Sequence, residues 1–398
     1  MSGVSGAQVL GGPLRGDVAA LAPSARVAMV GAGQLARMTH QAAIDYGIDL
    51  HVLAGSPHDP AVTAGAAFTM GPADDADLLR QLAGDADVMT FDHELVPLEV
   101  LRAMASDGHV IRPSADALAL GCDKFFARTA VSGIGALSTP VPAFTLVSGL
   151  SDIDSFAERH GWPVVLKARH GGYDGRGVVV VEDIGAAAGV LARGGGSQWV
   201  VEEYLDLAIE FAILLARSPS GFTVTYPPIG TVQVGGICRE LILPVDLSEE
   251  MERHATAWAR SIIEGFGATG IAAVEYFVTQ DGRLLLNEFA LRPHNSGHIT
   301  MEACVTSQFH QHLRAVLDWP LGDTGLVRPA ATVNLIADAT SSGFSTRLPR
   351  ALAIPDVHVH LYQKSMRPGR KVGHVTALAD SADEAMERAR AAAERFLE

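Results

Sequence analysis

Two glutamates on adjoining apolar segments constrain this chain more than any other feature. Residues 270–278 read Gly-Ile-Ala-Ala-Val-Glu-Tyr-Phe-Val and residues 284–289 read Leu-Leu-Leu-Asn-Glu-Phe, with Asp281-Gly282 between them. Asp-Gly is the preferred dipeptide of a two-residue hairpin turn. Such a turn pairs Gln280 with Arg283 and, counting outward, sets Glu275 opposite Glu288. Cβ atoms of directly opposed residues stand about 4.5–5.5 Å apart. Carboxylates that close in an apolar hairpin repel unless a proton or cation intervenes. Either the pair lies at a solvated edge or it holds a metal. Asn287, a further oxygen donor beside Glu288, favours the metal. Magnesium fits best, because one or two carboxylates plus phosphate oxygens make its usual shell.

A second feature points to phosphate. Lys167 closes an apolar segment, and the next ten residues contain Gly171, Gly172, Gly175 and Gly177. A loop so rich in glycine can fold closely over phosphates with its amides exposed. Lys167 and the earlier Lys124 are candidates to neutralise phosphate charge. No Gly-Lys-Ser/Thr follows, so this is not a Walker loop. A plain turn is the alternative, but it would not need Tyr173, Asp174 and Arg176 crowded between the glycines.

Near the start, Gly31-x-Gly33-x-x-Ala36 follows the apolar segment 26–30 and matches a dinucleotide fingerprint in outline. The acid expected at the end of the second strand is missing, since that strand ends Val52-Leu53-Ala54-Gly55. Two readings stay open: a tight turn that packs helix on sheet, or helix-start amides that hold a substrate phosphate.

Strand and helix signals alternate over residues 26–120, with strands at 26–30, 49–53, 88–91 and 109–111 and a helix at 35–46. This predicts an α/β unit with a parallel sheet. Residues 121–325 read as α+β, and 326–398 as a small mixed unit with a terminal helix from Ala382. Residues 1–25, rich in Gly, Ala and Ser, read as a disordered extension without the basic start and apolar core of a secretory signal. A formal charge of -15 argues against nucleic acid, which needs a basic surface, while leaving room for a small anion in a local pocket. No apolar run is long enough to span a membrane. Cys122, Cys238 and Cys304 are dispersed, which suits buried side chains in a reducing cytoplasm.

Taken in order, these pieces resemble the ATP-grasp ligases, and within them the 5-(carboxyamino)imidazole ribonucleotide synthase family. The resemblance rests on four stretches: residues 31–38 (Gly-Ala-Gly-Gln-Leu-Ala-Arg-Met), 171–177 (Gly-Gly-Tyr-Asp-Gly-Arg-Gly), 287–298 (Asn-Glu-Phe-Ala-Leu-Arg-Pro-His-Asn-Ser-Gly-His) and 367–374 (Arg-Pro-Gly-Arg-Lys-Val-Gly-His). It implies an ATP-grasp fold behind a Rossmann-like front domain, with a small C-terminal domain. It also implies carboxylation of 5-aminoimidazole ribonucleotide by bicarbonate through carboxyphosphate, with ATP and magnesium. Apolar residues in the front and end units, read from the sequence itself, point to a homodimer.

By the same resemblance Lys124 and Lys167 hold phosphates, and Gly172, Tyr173, Asp174, Gly175, Arg176 and Gly177 form a lid. Glu202, Glu203, Tyr204 and Leu205 form the hinge that reads adenine through main-chain groups, and Glu210 holds the ribose. Glu275, Glu288 and Asn287 serve the metal and nucleotide. Arg292, His294 and Asn295 sit where carboxyphosphate forms, with Tyr173, Asp174 and Arg176 on the substrate side of the lid. Gly33, Gln34 and Leu35, with Lys364, Arg370 and Lys371, bind the ribonucleotide. Two positions depart from the family pattern: Leu120 stands where an arginine is common, and Gly230-Thr231 where a polar pair is usual. The alternatives are a sister ligase such as the formate-using glycinamide ribonucleotide transformylase, a nucleotide-binding regulator without chemistry, and, disfavoured by the missing ribose acid, a nicotinamide dehydrogenase.

Overall fold

A computed structural model describes residues 24–132, 138–171, 177–194, 198–337, 344–364 and 367–397. Among these residues the strands gather into three sheets. The front sheet contains β1 (Ala25–Val30), β2 (Ile48–Ala54), β3 (Ala67–Met70) and β4 (Val88–Phe91), in the order β3-β2-β1-β4. Every pairing in it is parallel, as the alternation of strand and helix requires. The helix Gln34–Tyr46 follows β1 and stops at Gly47, whose φ of 64° suits glycine. Residues 109–111, expected to form a strand, contribute one bridge, Met89 to Ile111, and no strand of their own. The segment is too short, and turns too soon into Pro113, to continue the ladder.

The middle of the chain divides between two sheets. A small antiparallel one holds β5 (Phe144–Val147), β6 (Val164–Ala168), β7 (Val178–Val181) and β8 (Trp199–Glu203), ordered β5-β8-β6-β7. Its apolar face packs under two helices through Ile153, Phe156, Ala187 and Val190.

The large sheet has nine strands: β9 (Leu207–Arg217), β10 (Thr223–Thr225), β11 (Ile229–Val234), β12 (Ile237–Leu243), β13 (Gly270–Thr279), β14 (Leu284–Ala290), β15 (Ala330–Ile336), β16 (Val357–Leu361) and β17 (Lys371–Leu378). They run β14-β13-β9-β11-β12-β15-β17-β16, with β10 beside β9. The C-terminal strands therefore continue the middle sheet, joined where Glu240 to Leu243 pair with Val333 to Ala330. One apolar cluster runs from Val30 and Phe91 in the front unit to Phe211, Ile262 and Tyr276 under the large sheet. Burial of that shared core fixes the front unit against the acid-bearing hairpin.

Candidate active site

The acid hairpin β13–β14 is not closed by the expected two-residue turn. Thr279 and Arg283 face each other across a three-residue loop, Gln280-Asp281-Gly282, in which the Thr279 N–H donates to the Arg283 carbonyl at 3.0 Å. Gly282, at φ 84°, supplies the left-handed last position of such a loop. The longer loop shifts the register by one, so Tyr276 faces Leu286. An irregularity then restores the expected register, and Val274 faces Phe289. Between those pairs Glu275 stands against two residues, Asn287 and Glu288. A bulge of this kind re-aims side chains, and here it delivers the amide and the carboxylate to the same place. Asn287 Nδ2 donates to Glu275 Oε2 at 3.4 Å.

Each acid has a different partner. Lys124 Nζ lies 3.0 Å from Glu288 Oε2, and the Glu288 side chain keeps 44% of its surface open to the cleft. Burial works against the Glu288 carboxylate, but Lys124 and Lys167 outweigh it and hold the group below the ordinary range. Glu275 is pushed the other way, by burial first and then by the charges of Glu288 and Glu210. His294 Nε2 is 3.3 Å from Glu275 Oε1. The Ser296 N–H donates to His294 Nδ1 at 3.3 Å, which puts the imidazole proton on Nε2, facing Glu275.

These groups open into one cleft of about 1820 Å³ between the front unit, the hairpin and the C-terminal strands. Its walls include Gly33, Gln34, Leu35, Lys124, Glu275, Asn287, Glu288, Arg292, His294, Asn295, Lys364, Arg370 and Lys371. Pockets for single ligands run to about 1,000 Å³, so this one has room for two. The Lys364 ammonium donates to Gln34 Oε1, tying the C-terminal segment to the front helix.

Sequence comparison finds the same order of parts in known proteins. A ribonucleotide synthetase preATP-grasp domain matches residues 24–121, an ATP-grasp domain residues 133–309, and a phosphoribosylaminoimidazole carboxylase C-terminal domain residues 330–388. The N5-carboxyaminoimidazole ribonucleotide synthase of Mycobacterium tuberculosis is 44% identical over 375 residues, which cover 92% of this chain and 86% of that protein. The chain belongs to the N5-carboxyaminoimidazole ribonucleotide synthase family. It is thus an ATP-grasp ligase. The family member of Synechococcus elongatus is 36% identical over 360 residues, 90% of each chain. A crystal structure of the Aspergillus clavatus synthase with ADP and 5-aminoimidazole ribonucleotide matches with a TM-score of 0.85 at 29% identity, covering 94% of this chain and 98% of that one.

Other residues expected from the synthase resemblance lie away from the lining of this cleft. Glu202 is buried in an ion cluster, 2.9 Å from Arg128 Nε and 2.8 Å from Lys167 Nζ. Burial opposes its charge, yet Arg128 and Lys167 carry its carboxyl down to about 2. The Glu202 side chain is therefore committed to the fold. The Glu203 carboxylate accepts from the Ala143 N–H at 2.9 Å, Tyr204 is half exposed, and Leu205 is buried. Lys167 reaches the acid pair through Asn287 Oδ1 at 3.0 Å. Glu210 stands nearby, its carboxyl pushed up to about 7 by burial against the pull of Lys167. Gly172, Tyr173, Asp174, Gly175 and Arg176 lie outside the described residues. Gly177, at the end of that loop, has a φ of 79°.

At the front loop the helix start already has a carboxyl partner, which burial pushes above the ordinary carboxylate range. The Gly33 N–H donates to Asp92 Oδ2 at 2.7 Å, and a Cβ on Gly31 would lie 1.7 Å from Asp92 Oδ1. The glycines there serve close approach of an internal carboxylate. Gly230, one of the two departures, packs so tightly that a Cβ would meet Ile242 at 2.5 Å. Leu120, the other, is buried.

Asp92, Glu94, Arg128 and Gln308 also shape this region, and no motif singles them out. Glu94 Oε2 accepts from Arg292 Nε at 2.8 Å, so the front unit orients a guanidinium of the site. Asp92-His93-Glu94 directly follows β4, and ligands of open α/β sheets gather at such carboxyl ends of strands. Arg128 lies one helical turn beyond Lys124, on the same face. Both signals were present in the sequence.

Proposed function

We propose that this chain carboxylates 5-aminoimidazole ribonucleotide with bicarbonate, consuming ATP, in purine biosynthesis. The observation that carries the reading is the single cleft in which the acid pair, Arg292 and His294 face the basic segment of Lys364, Arg370 and Lys371. A bicarbonate oxygen attacks the γ-phosphorus of ATP, the bond to ADP breaks, and carboxyphosphate forms. The exocyclic amine of the ribonucleotide then attacks the carboxyl carbon, directly or after release of CO2, and loses a proton as phosphate departs.

Catalysis of phosphoryl transfer is mostly positioning and charge stabilisation. Arg292, aimed by Glu94, offers a planar guanidinium to a planar bicarbonate. His294 and Asn295 flank it, and Lys124 in the cleft wall, with Lys167 behind it through Asn287, would meet phosphate charge. The loop from Gly172 to Gly177 would cover the phosphates, with Tyr173, Asp174 and Arg176 toward the ribonucleotide. Main-chain groups of Glu202, Glu203, Tyr204 and Leu205 would read adenine, with Glu210 at the ribose. Lys364, Arg370 and Lys371 would take the 5′-phosphate beside Gly33, Gln34 and Leu35. We assign residues 26–120, 121–325 and 326–398 as the three working units.

Magnesium is part of the proposal. Among the described residues no cluster of three or more His, Cys, Asp or Glu side chains gathers as a closed metal site. The donor set suits an ion shared with phosphates: Glu275 and Glu288 crowd each other, and Asn287 adds an amide oxygen. Bound there, magnesium would neutralise triphosphate charge. Among the described residues no helix is long and apolar enough to cross a membrane. Among the described residues Cys122, Cys238 and Cys304 form no disulfide, in keeping with a cytoplasmic enzyme. Exposed Ile44, Val305 and Val327 support a homodimer, which sedimentation equilibrium would test.

The direct test is ADP release from magnesium-ATP and bicarbonate, with and without 5-aminoimidazole ribonucleotide. Strong stimulation by the nucleotide is expected. ATP binding without stimulation would sink the substrate assignment, and formate with glycinamide ribonucleotide would be tried next.

A further inference from the structure

The helix Gln308–Val316 buries Gln308, Gln311 and His312 completely. Their spacing puts all three on one face. Two of them do the same thing at different places. Gln311 Oε1 accepts from the Gly322 N–H at 2.8 Å, and its Nε2 donates to the Gly322 carbonyl at 2.8 Å. Gln308 Oε1 accepts from the His294 N–H at 2.9 Å, and its Nε2 donates to the His294 carbonyl at 2.7 Å.

One side chain thus takes both backbone groups of one residue, as a neighbouring strand would in an antiparallel pair. At His294 the chain has just left β14 and is about to enter the short helix Asn295–Ile299. The amide of Gln308 replaces the missing strand. The same Nε2 reaches His298 Nδ1 at 3.3 Å. The Gln308 N–H donates to Thr300 Oγ1 at 2.9 Å, and the Thr300 hydroxyl donates to the Gly297 carbonyl at 2.6 Å. Gly297 fits so closely that a Cβ would lie 2.2 Å from Gln308 Oε1.

We propose that Gln308 is a positioning residue for the reaction, clamping the backbone at His294 so that His294 and Arg292 face the acid pair. The proposal rests on the assignment of those two side chains to the reacting carboxyl group. Displacement by about 1 Å can cost about a hundredfold in rate, so a lost clamp at this point should be read in turnover. The Gln311 clamp, on the same helix but away from the cleft lining, is the internal control.

Gln308→Met and Gln311→Met each remove one clamp while keeping side-chain volume, and both should lower the melting temperature by similar amounts. Measured below that temperature, Gln308→Met should lose about a hundredfold in kcat with the KM for ATP little changed. Gln311→Met should keep wild-type kcat. Gln308→Glu keeps the acceptor for the His294 N–H but sets a second acceptor against the carbonyl. Its activity relative to wild type should rise as pH falls and the carboxyl gains a donating proton, a response that general destabilisation would not give. A folded Gln308→Met with wild-type kcat, or equal losses in both methionine variants, would overturn the proposal.

A second readout needs no turnover. In ¹⁵N-histidine spectra, assigned by the signal lost in His294→Gln, the His294 ring resonances should move in Gln308→Met and stay in Gln311→Met. Unmoved His294 resonances in Gln308→Met would also overturn the clamp. If wild type shows no ribonucleotide-dependent ADP release, the functional reading fails, and these spectra alone judge the clamp.

Discussion

Two clusters of charged side chains lie close together in this molecule, and their acids are balanced in opposite ways. Glu202 sits between two cations, Arg128 and Lys167, with 2% of its side chain exposed. Glu288 pairs with Lys124 while Glu275 faces a histidine, His294, and Glu288 is open to the cleft. The first group is complete without a ligand. In the second, burial and then the charges of Glu288 and Glu210 push Glu275 up to about 8, a conflict that folding alone does not relieve. A buried acid that satisfies its neighbours belongs to the scaffold, whereas acids left in conflict mark where a ligand must bring charge.

The comparison breaks most visibly in turnover. Glu288→Gln should lower ribonucleotide-stimulated ADP release by about a hundred- to a thousandfold, as loss of one preorganised electrostatic group commonly does. Near-wild-type release would remove the acid pair from the chemistry. Next in size, Glu202→Gln strands two buried cations and should cost about 3–5 kcal/mol of stability by chemical denaturation. A cost under 1 kcal/mol would mean that the cluster is not the internal brace its geometry suggests.

Glu275→Gln should do the reverse in the ligand-free protein. A neutral amide escapes the cost of a buried carboxyl that burial first, and then the Glu288 and Glu210 charges, push up to about 8; this should add about 1 kcal/mol while activity is lost, seen as a raised melting temperature with dead turnover. An unchanged melting temperature would show that the pair is not in conflict.

Acid sharpens the contrast at the smallest scale. Buried His312 bonds to Thr90 Oγ1 and to the Ile271 N–H, and burial holds its pKa down to about 3 against an ordinary 6.5. Below pH 6.5 the unfolded chain takes up a proton that the folded chain refuses. Stability from this group is therefore complete above 6.5 and falls with pH toward 3, by about 1.4 kcal/mol per unit. Glu202, at about 2 against an ordinary 4.5, begins to lose its contribution only below 4.5. Between pH 6.5 and 4.5, His312→Asn should flatten the stability slope and Glu202→Gln should leave it intact, measured by urea unfolding at each pH.

Much of this contrast is legible in the sequence alone. Apolar runs mark β13 and β14, and the pairing of their acids marks the candidate site. The order of glycine loop, lysines and acids marked the family. What could not be read was the length of the turn. Asp281-Gly282 suits a two-residue loop as well as the end of a three-residue one, and only the bulge opposite Glu275 reconciles the longer loop with the core. Long-range partners were equally hidden. Nothing local to Glu94 or Gln308 says that one meets Arg292 and the other His294, because those contacts follow from packing across the chain. The tie between Lys364 and Gln34 spans the whole fold in the same way.

The nine-stranded sheet has one more consequence, for how the gene can be cut and recombined. A split near residue 326 respects the change in sequence character but severs the ladder between β12 and β15. Each piece would then carry a bare strand edge, an invitation to pair with the wrong chain. A transplanted C-terminal unit would have to bring a strand matching Ala330–Ile336 in register with Glu240–Leu243. At that seam inheritance is by ladder, and the sheet is the smallest unit that can be exchanged.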